Sequence, residues 1–136
     1  VSAAAGTGGQ FLRFAAVGAA GFLVDAGALW LAMRAGAGPL AGRALSYLAA
    51  ATFTWALNRR VTFRDAGAEA GGALAQWARF LAVNAVGGAV NYAVFAALVL
   101  AGGAFAAHPT LAVAAGSASG LVFNFAFSKR LVFRGA

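Results

Sequence analysis

The sequence predicts an all-α polytopic membrane protein in which four transmembrane helices form two parallel-repeated helical hairpins and both termini are cytoplasmic. Three observations predict it. The 136-residue chain is 62% hydrophobic and 10% charged, with a mean hydropathy of +0.83, against about 25% charged residues in an ordinary soluble domain. Its apolar residues fall into four stretches, 14–33, 41–57, 80–100 and 110–127, each close to the ~20 residues a helix needs to cross ~30 Å of hydrocarbon. A basic motif with an aromatic tail occurs twice, as Asn58-Arg59-Arg60-Val61-Thr62-Phe63-Arg64 and Ser128-Lys129-Arg130-Leu131-Val132-Phe133-Arg134, each after the second stretch of a pair.

Taken in order, residues 1–10 are small and Gly-rich, with neither the basic start nor the apolar core of a signal peptide, and are expected to be a disordered tail. Residues 11–134 then form a single four-helix domain, with one repeat at 11–64 and the other at 77–134. The first span is bracketed by Arg13 and Arg34, and Trp30 lies near its far boundary, where an amphipathic ring is favoured. Gly36, Gly38 and Pro39 make a turn short enough to force an antiparallel return. The linker after the second span, 65–76, is either flexible or lies on the membrane surface. Pro109 suits the first turn of the fourth helix. Eight Lys and Arg residues fall on one side of the spans and two, Arg34 and Arg43, on the other, which puts both termini inside.

The repeat is visible residue by residue. Sliding 13–25 onto 79–91 matches seven of thirteen positions, among them Arg13/Arg79, Phe14/Phe80 and Gly21/Gly87. The same offset places Asp25 on Asn91 and Asn58 on Asn124. Two helices per unit make the repeat parallel. Each helix also carries one polar or small-residue face: Gly18, Gly21 and Asp25; Arg43, Tyr47, Ala50, Thr54 and Asn58; Asn84, Gly87 and Asn91; Ser117, Gly120, Asn124 and Ser128. These faces should converge, because an amide or carboxylate turned to lipid lacks partners.

Asp25 is the sharpest single signal. A carboxylate about twelve residues into a span calls for a partner, and Arg43, at a comparable height on the antiparallel neighbour, supplies one. The pair reads equally as a gate and as a lock on the first hairpin. The clusters Arg59-Arg60 and Lys129-Arg130 read as topology signals or as grips for lipid phosphate, with Val61/Phe63 and Leu131/Phe133 seated against acyl chains. Asn84, Asn91 and Asn124 either bind sugar hydroxyls or tie helices together. The run from Gly116 to Gly120 suits close helix packing. With no cysteine and one histidine, His108, no metal or other cofactor is expected, nor an enzyme's nucleophile and base. The net charge of +7 sits at span ends rather than along one polar face, which argues against nucleic acid.

Arg13-Phe14 with Val17-Gly18 and Asp25, the two basic motifs, Arg79-Phe80 with Asn84 and Asn91, and Asn124 together resemble the GtrA family over about residues 11–134. The resemblance implies a small four-helix protein of the cytoplasmic membrane, taking part in cell-surface polysaccharide synthesis and translocating polyprenyl-phosphate-linked sugars. On that reading Arg59, Arg60, Lys129 and Arg130 collect the phosphate. Asp25, Asn58, Asn84, Asn91 and Asn124 line the sugar's path, and Arg43 receives the phosphate at the far side. A homodimer or higher oligomer among membrane lipids is expected, as is a possible glycosyltransferase partner. Two other roles fit the residues: a docking subunit for such a transferase, and a small proton-coupled exporter built on Asp25.

Overall fold

The computed structural model describes residues 6–64, 66 and 71–135. The chain is all-α, with α1 (Thr7–Arg34), α2 (Pro39–Leu57), α3 (Gly72–Ala101), α4 (Ala104–Ala107) and α5 (Pro109–Phe127). A five-residue π-helical turn continues α2 over Asn58–Thr62, and a second continues α5 over Ser128–Val132. Three segments are long and apolar enough to cross a membrane: Thr7–Arg34, Gly72–Ala101 and Pro109–Val132. α2 is not among them, since Arg43, Ser46, Tyr47, Thr52 and Thr54 dilute its apolar run. Large apolar side chains such as Leu12, Phe22, Leu23, Leu74 and Leu100 point outward, as lipid-facing surfaces do.

Helix limits follow local chemistry. Pro39 and Pro109 open α2 and α5 at the one helical position where a missing N–H is harmless. Gly102 and Gly103, with φ of 84° and 63°, end α3 in a backbone region that side chains avoid. α1 starts at Thr7, inside the stretch 1–10 expected to be a tail, because its first turns are held: Gln10 is buried and Phe11 meets the Phe125 ring edge-on at 5.3 Å. Residues 1–5 of that expected tail, and 65 and 67–70 of the expected linker, lie outside the described residues.

α1 packs mainly on α2, α3 mainly on α5, and each π turn folds back on the first helix of its own hairpin. The repeat holds, but with two registers. Buried Gln10, Phe14, Val17 and Gly21 of α1 recur as Gln76, Phe80, Val83 and Gly87 of α3, an offset of 66 residues. The second helices match at an offset of 70, which pairs Pro39 with Pro109, Thr54 with Asn124, Trp55 with Phe125 and Asn58 with Ser128. The expected match of Asn58 with Asn124 is thereby corrected. The four additional residues enter between α3 and α5, where the four-residue helix α4 stands.

The π turns shape the end of the molecule that carries the basic motifs. Phe63 N–H donates to the Asn58 carbonyl and Phe133 N–H to the Ser128 carbonyl, both at 2.8 Å and both spanning five residues. The wider turn swings the two phenylalanines inward while Arg59, Arg60 and Arg130 stay on the surface. Phe63 and Phe133, 1% and 0% exposed, stack on each other at 4.8 Å with planes 17° apart. Phe14 meets Phe63 at 6.0 Å and Phe80 meets Phe133 at 6.1 Å, so the stacked pair marks a pseudo-two-fold axis. These rings belong to the protein core and not to a lipid-facing anchor, which corrects the sequence expectation; only Val61 and Leu131 of each tail remain outside.

Candidate functional site

A cleft of about 410 Å³ lies between the hairpins, and Asp25, Asn58, Asn84, Asn91 and Asn124 all line it, beside Tyr47 and Thr54. Phe14 and Phe80 belong both to this lining and to the aromatic cluster, so the cluster closes one end. From Phe14 to Asp25 the cleft extends about 16 Å along α1. Phe22, largely exposed, forms part of its rim, so the cleft reaches the outer surface of the bundle.

Glycine sets how closely the walls approach. A Cβ at Gly21 would collide with the Thr54 methyl, and one at Gly87 with the Asn124 amide. These are equivalent contacts in the two repeats, and each brings a polar residue of the second helix into the cleft across a bare stretch of the first. At Gly116 an added Cβ would lie 2.6 Å from the Asn91 carbonyl oxygen, and at Gly120 it would lie 3.0 Å from the Asn91 Cβ. The small-residue run 116–120 is therefore a packing surface for α3, as its spacing suggests.

At the far end Arg43 Nη1 donates to Asp25 Oδ1 at 2.6 Å and to Ser46 Oγ at 3.3 Å, while the Ser46 hydroxyl donates to the Arg43 carbonyl at 3.1 Å. Arg43 is not part of the cleft lining and reaches it only through Asp25. Within the cleft, Asn84 Nδ2 donates to the Phe80 carbonyl at 2.9 Å, and Asn58 Oδ1 accepts from Thr62 Oγ1 at 2.6 Å. Asn124 Oδ1 is buried without a protein partner. That oxygen is enclosed against α3 at Gly87 and is not exposed to the cleft that Asn124 otherwise lines.

The basic residues divide. Arg59 places its guanidinium 5.6 Å from the Trp55 ring centre, and neither it nor Arg60 lines the cleft. Lys129 and Arg130 line a separate pocket with Arg134, and Lys129 Nζ donates to Thr7 Oγ1 at 3.2 Å. Sequence reasoning passed over Gln10 and Gln76, although both stand three residues before an Arg-Phe pair. Gln76 Oε1 accepts from the Trp55 indole at 3.1 Å, whereas buried Gln10 Oε1 has no protein partner. Arg134 and the cleft residues Tyr47 and Thr54 were likewise not assigned to the site, though the repeated motif and the polar face of α2 contain them.

A search among curated proteins finds no match to this chain. The profile described as GtrA/DPMS, transmembrane domain, matches residues 13–133. That match runs from the first Arg-Phe pair to the ring of the second π turn, taking in both hairpins and every residue of the cleft, and the chain therefore belongs to the GtrA/DPMS transmembrane domain family.

Proposed function

We propose that the protein carries polyprenyl-phosphate-linked sugars across the cytoplasmic membrane. Its family consists of membrane proteins associated with polyprenyl-linked sugar handling in glycan synthesis, generally without catalytic activity. The observation that carries the narrower reading is the cleft: five carboxylate and amide side chains from four helices converge on one space that opens at the bundle surface. Such a space can hold a sugar while the prenyl chain stays in lipid.

In this reading α2 crosses the membrane with α1. Asp25–Arg43, Gly21–Thr54 and Phe14–Phe63 pair the two helices antiparallel over most of their length. Nineteen residues of α helix span about 28 Å, enough for the hydrocarbon core. Both termini are cytoplasmic, which sets the π turns at the inner headgroup level. Arg59, Arg60, Lys129 and Arg130 draw the anionic headgroup to that end. Asp25, Asn58, Asn84, Asn91 and Asn124 exchange hydrogen bonds with sugar hydroxyls along the way, and Arg43 trades its carboxylate partner for the phosphate on the far side. A second copy of the chain against the open rim would complete the wall.

The test is translocation in liposomes of a short-chain fluorescent polyprenyl-phosphate sugar, read as the fraction reached by a membrane-impermeant quencher. The wild-type protein is expected to speed equilibration, and Asp25→Asn and Asn124→Ala to slow it about ten-fold or more, the scale of one lost charged or buried hydrogen bond. Wild-type liposomes that behave like empty ones would overturn the reading.

A further inference from the structure

We propose that the pocket between the start of α1 and the second π turn binds the phosphate of a membrane lipid, and that the first π turn, its repeat counterpart, does not. The assignment rests on the transport reading for its role, which is capture of the substrate's headgroup at the inner face. The pocket has a volume of about 430 Å³, and Thr7, Phe125, Lys129, Arg130 and Arg134 line it, three cations with no carboxylate. Among the described residues neither Arg130 nor Arg134 has an ion-pair partner. Two guanidinium forks and an ammonium around one space suit a tetrahedral oxyanion.

The repeat supplies a built-in comparison. At the first π turn the same positions are Ala73, Trp55, Arg59, Arg60 and Arg64. The Trp55 indole donates to Gln76 at 3.1 Å, and Arg59 lies over its ring, so the larger side chain occupies its site and engages the cation. The Phe125 ring has no N–H and less bulk, and Gln10, which stands where Gln76 does, keeps a buried oxygen without a partner. The exchange of Trp for Phe leaves room beside Lys129, and Thr7 adds a hydroxyl where Ala73 has only a methyl.

A second feature favours a lipid over a free anion. An apolar groove of about 580 Å³ runs along α3 and α5, lined by Val90, Val122, Phe123, Ala126 and Phe127. Ala126 lines both groove and basic pocket, so the two adjoin. A phosphate held by Lys129, Arg130 and Arg134 has a path for its hydrocarbon chain along the groove toward the bilayer interior.

The experiment measures binding of a short-chain polyprenyl monophosphate to the detergent-purified full chain, with inorganic phosphate as competitor. Lys129→Ala/Arg130→Ala should weaken binding about ten-fold or more, the scale of lost charge-assisted hydrogen bonds. Arg59→Ala/Arg60→Ala should weaken it only about two- to three-fold, through reduced positive potential. Phe125→Trp, which keeps every charge but fills the pocket, should weaken it about five-fold or more, while Phe125→Leu, which leaves it open, should retain binding. Equal losses from the two basic pairs, or full binding by a folded Phe125→Trp protein, would overturn the assignment. Inorganic phosphate that competes as well as the lipid would overturn the lipid part. A protein that binds with this asymmetry yet moves nothing across liposomes would sink the transport reading and leave the site standing.

Discussion

The two hairpins share a skeleton and differ in how their polar groups are partnered. Phenylalanines, the Gln and Gly of the first helices, opening prolines and π turns recur at matching positions. In the first hairpin Asp25 pairs with Arg43, Asn58 with Thr62, and Thr54 bonds to its own helix. In the second, Arg43 is replaced by Val113 and Thr62 by Val132, and both Asn124 Oδ1 and Ser128 Oγ are buried with no protein partner. The second helix of the first hairpin finds partners for its polar groups, whereas that of the second keeps two buried acceptors without one. The two repeats keep the contacts that hold the helices and differ in the polar partners around them.

The comparison breaks most severely at Gly116, whose counterpart is Ser46. Gly116→Ala drives a methyl into the Asn91 carbonyl, where backbone meets backbone and neither can yield. A loss of about 1–3 kcal/mol is expected, seen as a lower thermal midpoint in detergent. Ser46→Ala, at the same place in the other hairpin, removes only a hydroxyl and should lose about 1 kcal/mol or less. Thr62→Val makes the first hairpin copy the second and strands Asn58 Oδ1 in the core, with an expected loss of about 1–3 kcal/mol in the same melt.

Asp25 and Arg43 form a thermodynamic cycle. Each of Asp25→Asn and Arg43→Val should destabilise, while the double change, which reproduces the Asn91/Val113 arrangement, should recover about 1 kcal/mol of the summed loss. Additive losses would show that the pair contributes no coupling. The smallest effect is a gain: Ser128→Asn/Val132→Thr gives the second π turn the bond of the first and should add about 0.5–1.5 kcal/mol. A melt unchanged by that double substitution would mean that Ser128 Oγ is satisfied in the folded protein by other means.

Much of this was legible in the residues. The repeat, the polar faces and the Asp25–Arg43 pairing follow from helical spacing and from the reluctance of lipid to host an unpaired polar group. The cleft gathers most of the residues those faces contain, while Arg43, Gly87, Ser117, Gly120 and Ser128 lie outside its lining. The π turns were not legible, because one residue of extra winding leaves no signature in composition, and without it Phe63 and Phe133 looked like membrane anchors. The second register was hidden for a related reason: an offset of 66 read from the first helices carries through to the second only if the connections are equal, and α4 makes them unequal. The pocket beside Lys129 depended on Phe125 being smaller than Trp55, a difference in volume that matters only once the two are known to be equivalent.

The stacked rings of Phe63 and Phe133 have one more consequence. Identical groups meeting on an axis form the contact that a single hairpin would make with another copy of itself. Severed between Ala66 and Gly71, the chain would yield two halves with three possible marriages, first with first, second with second, and mixed. The axis favours none of them. Nor does Trp55 choose between first-with-first and mixed, because Gln10 stands where Gln76 does; covalent tethering decides, making the mixed pair a neighbour and the others a matter of concentration.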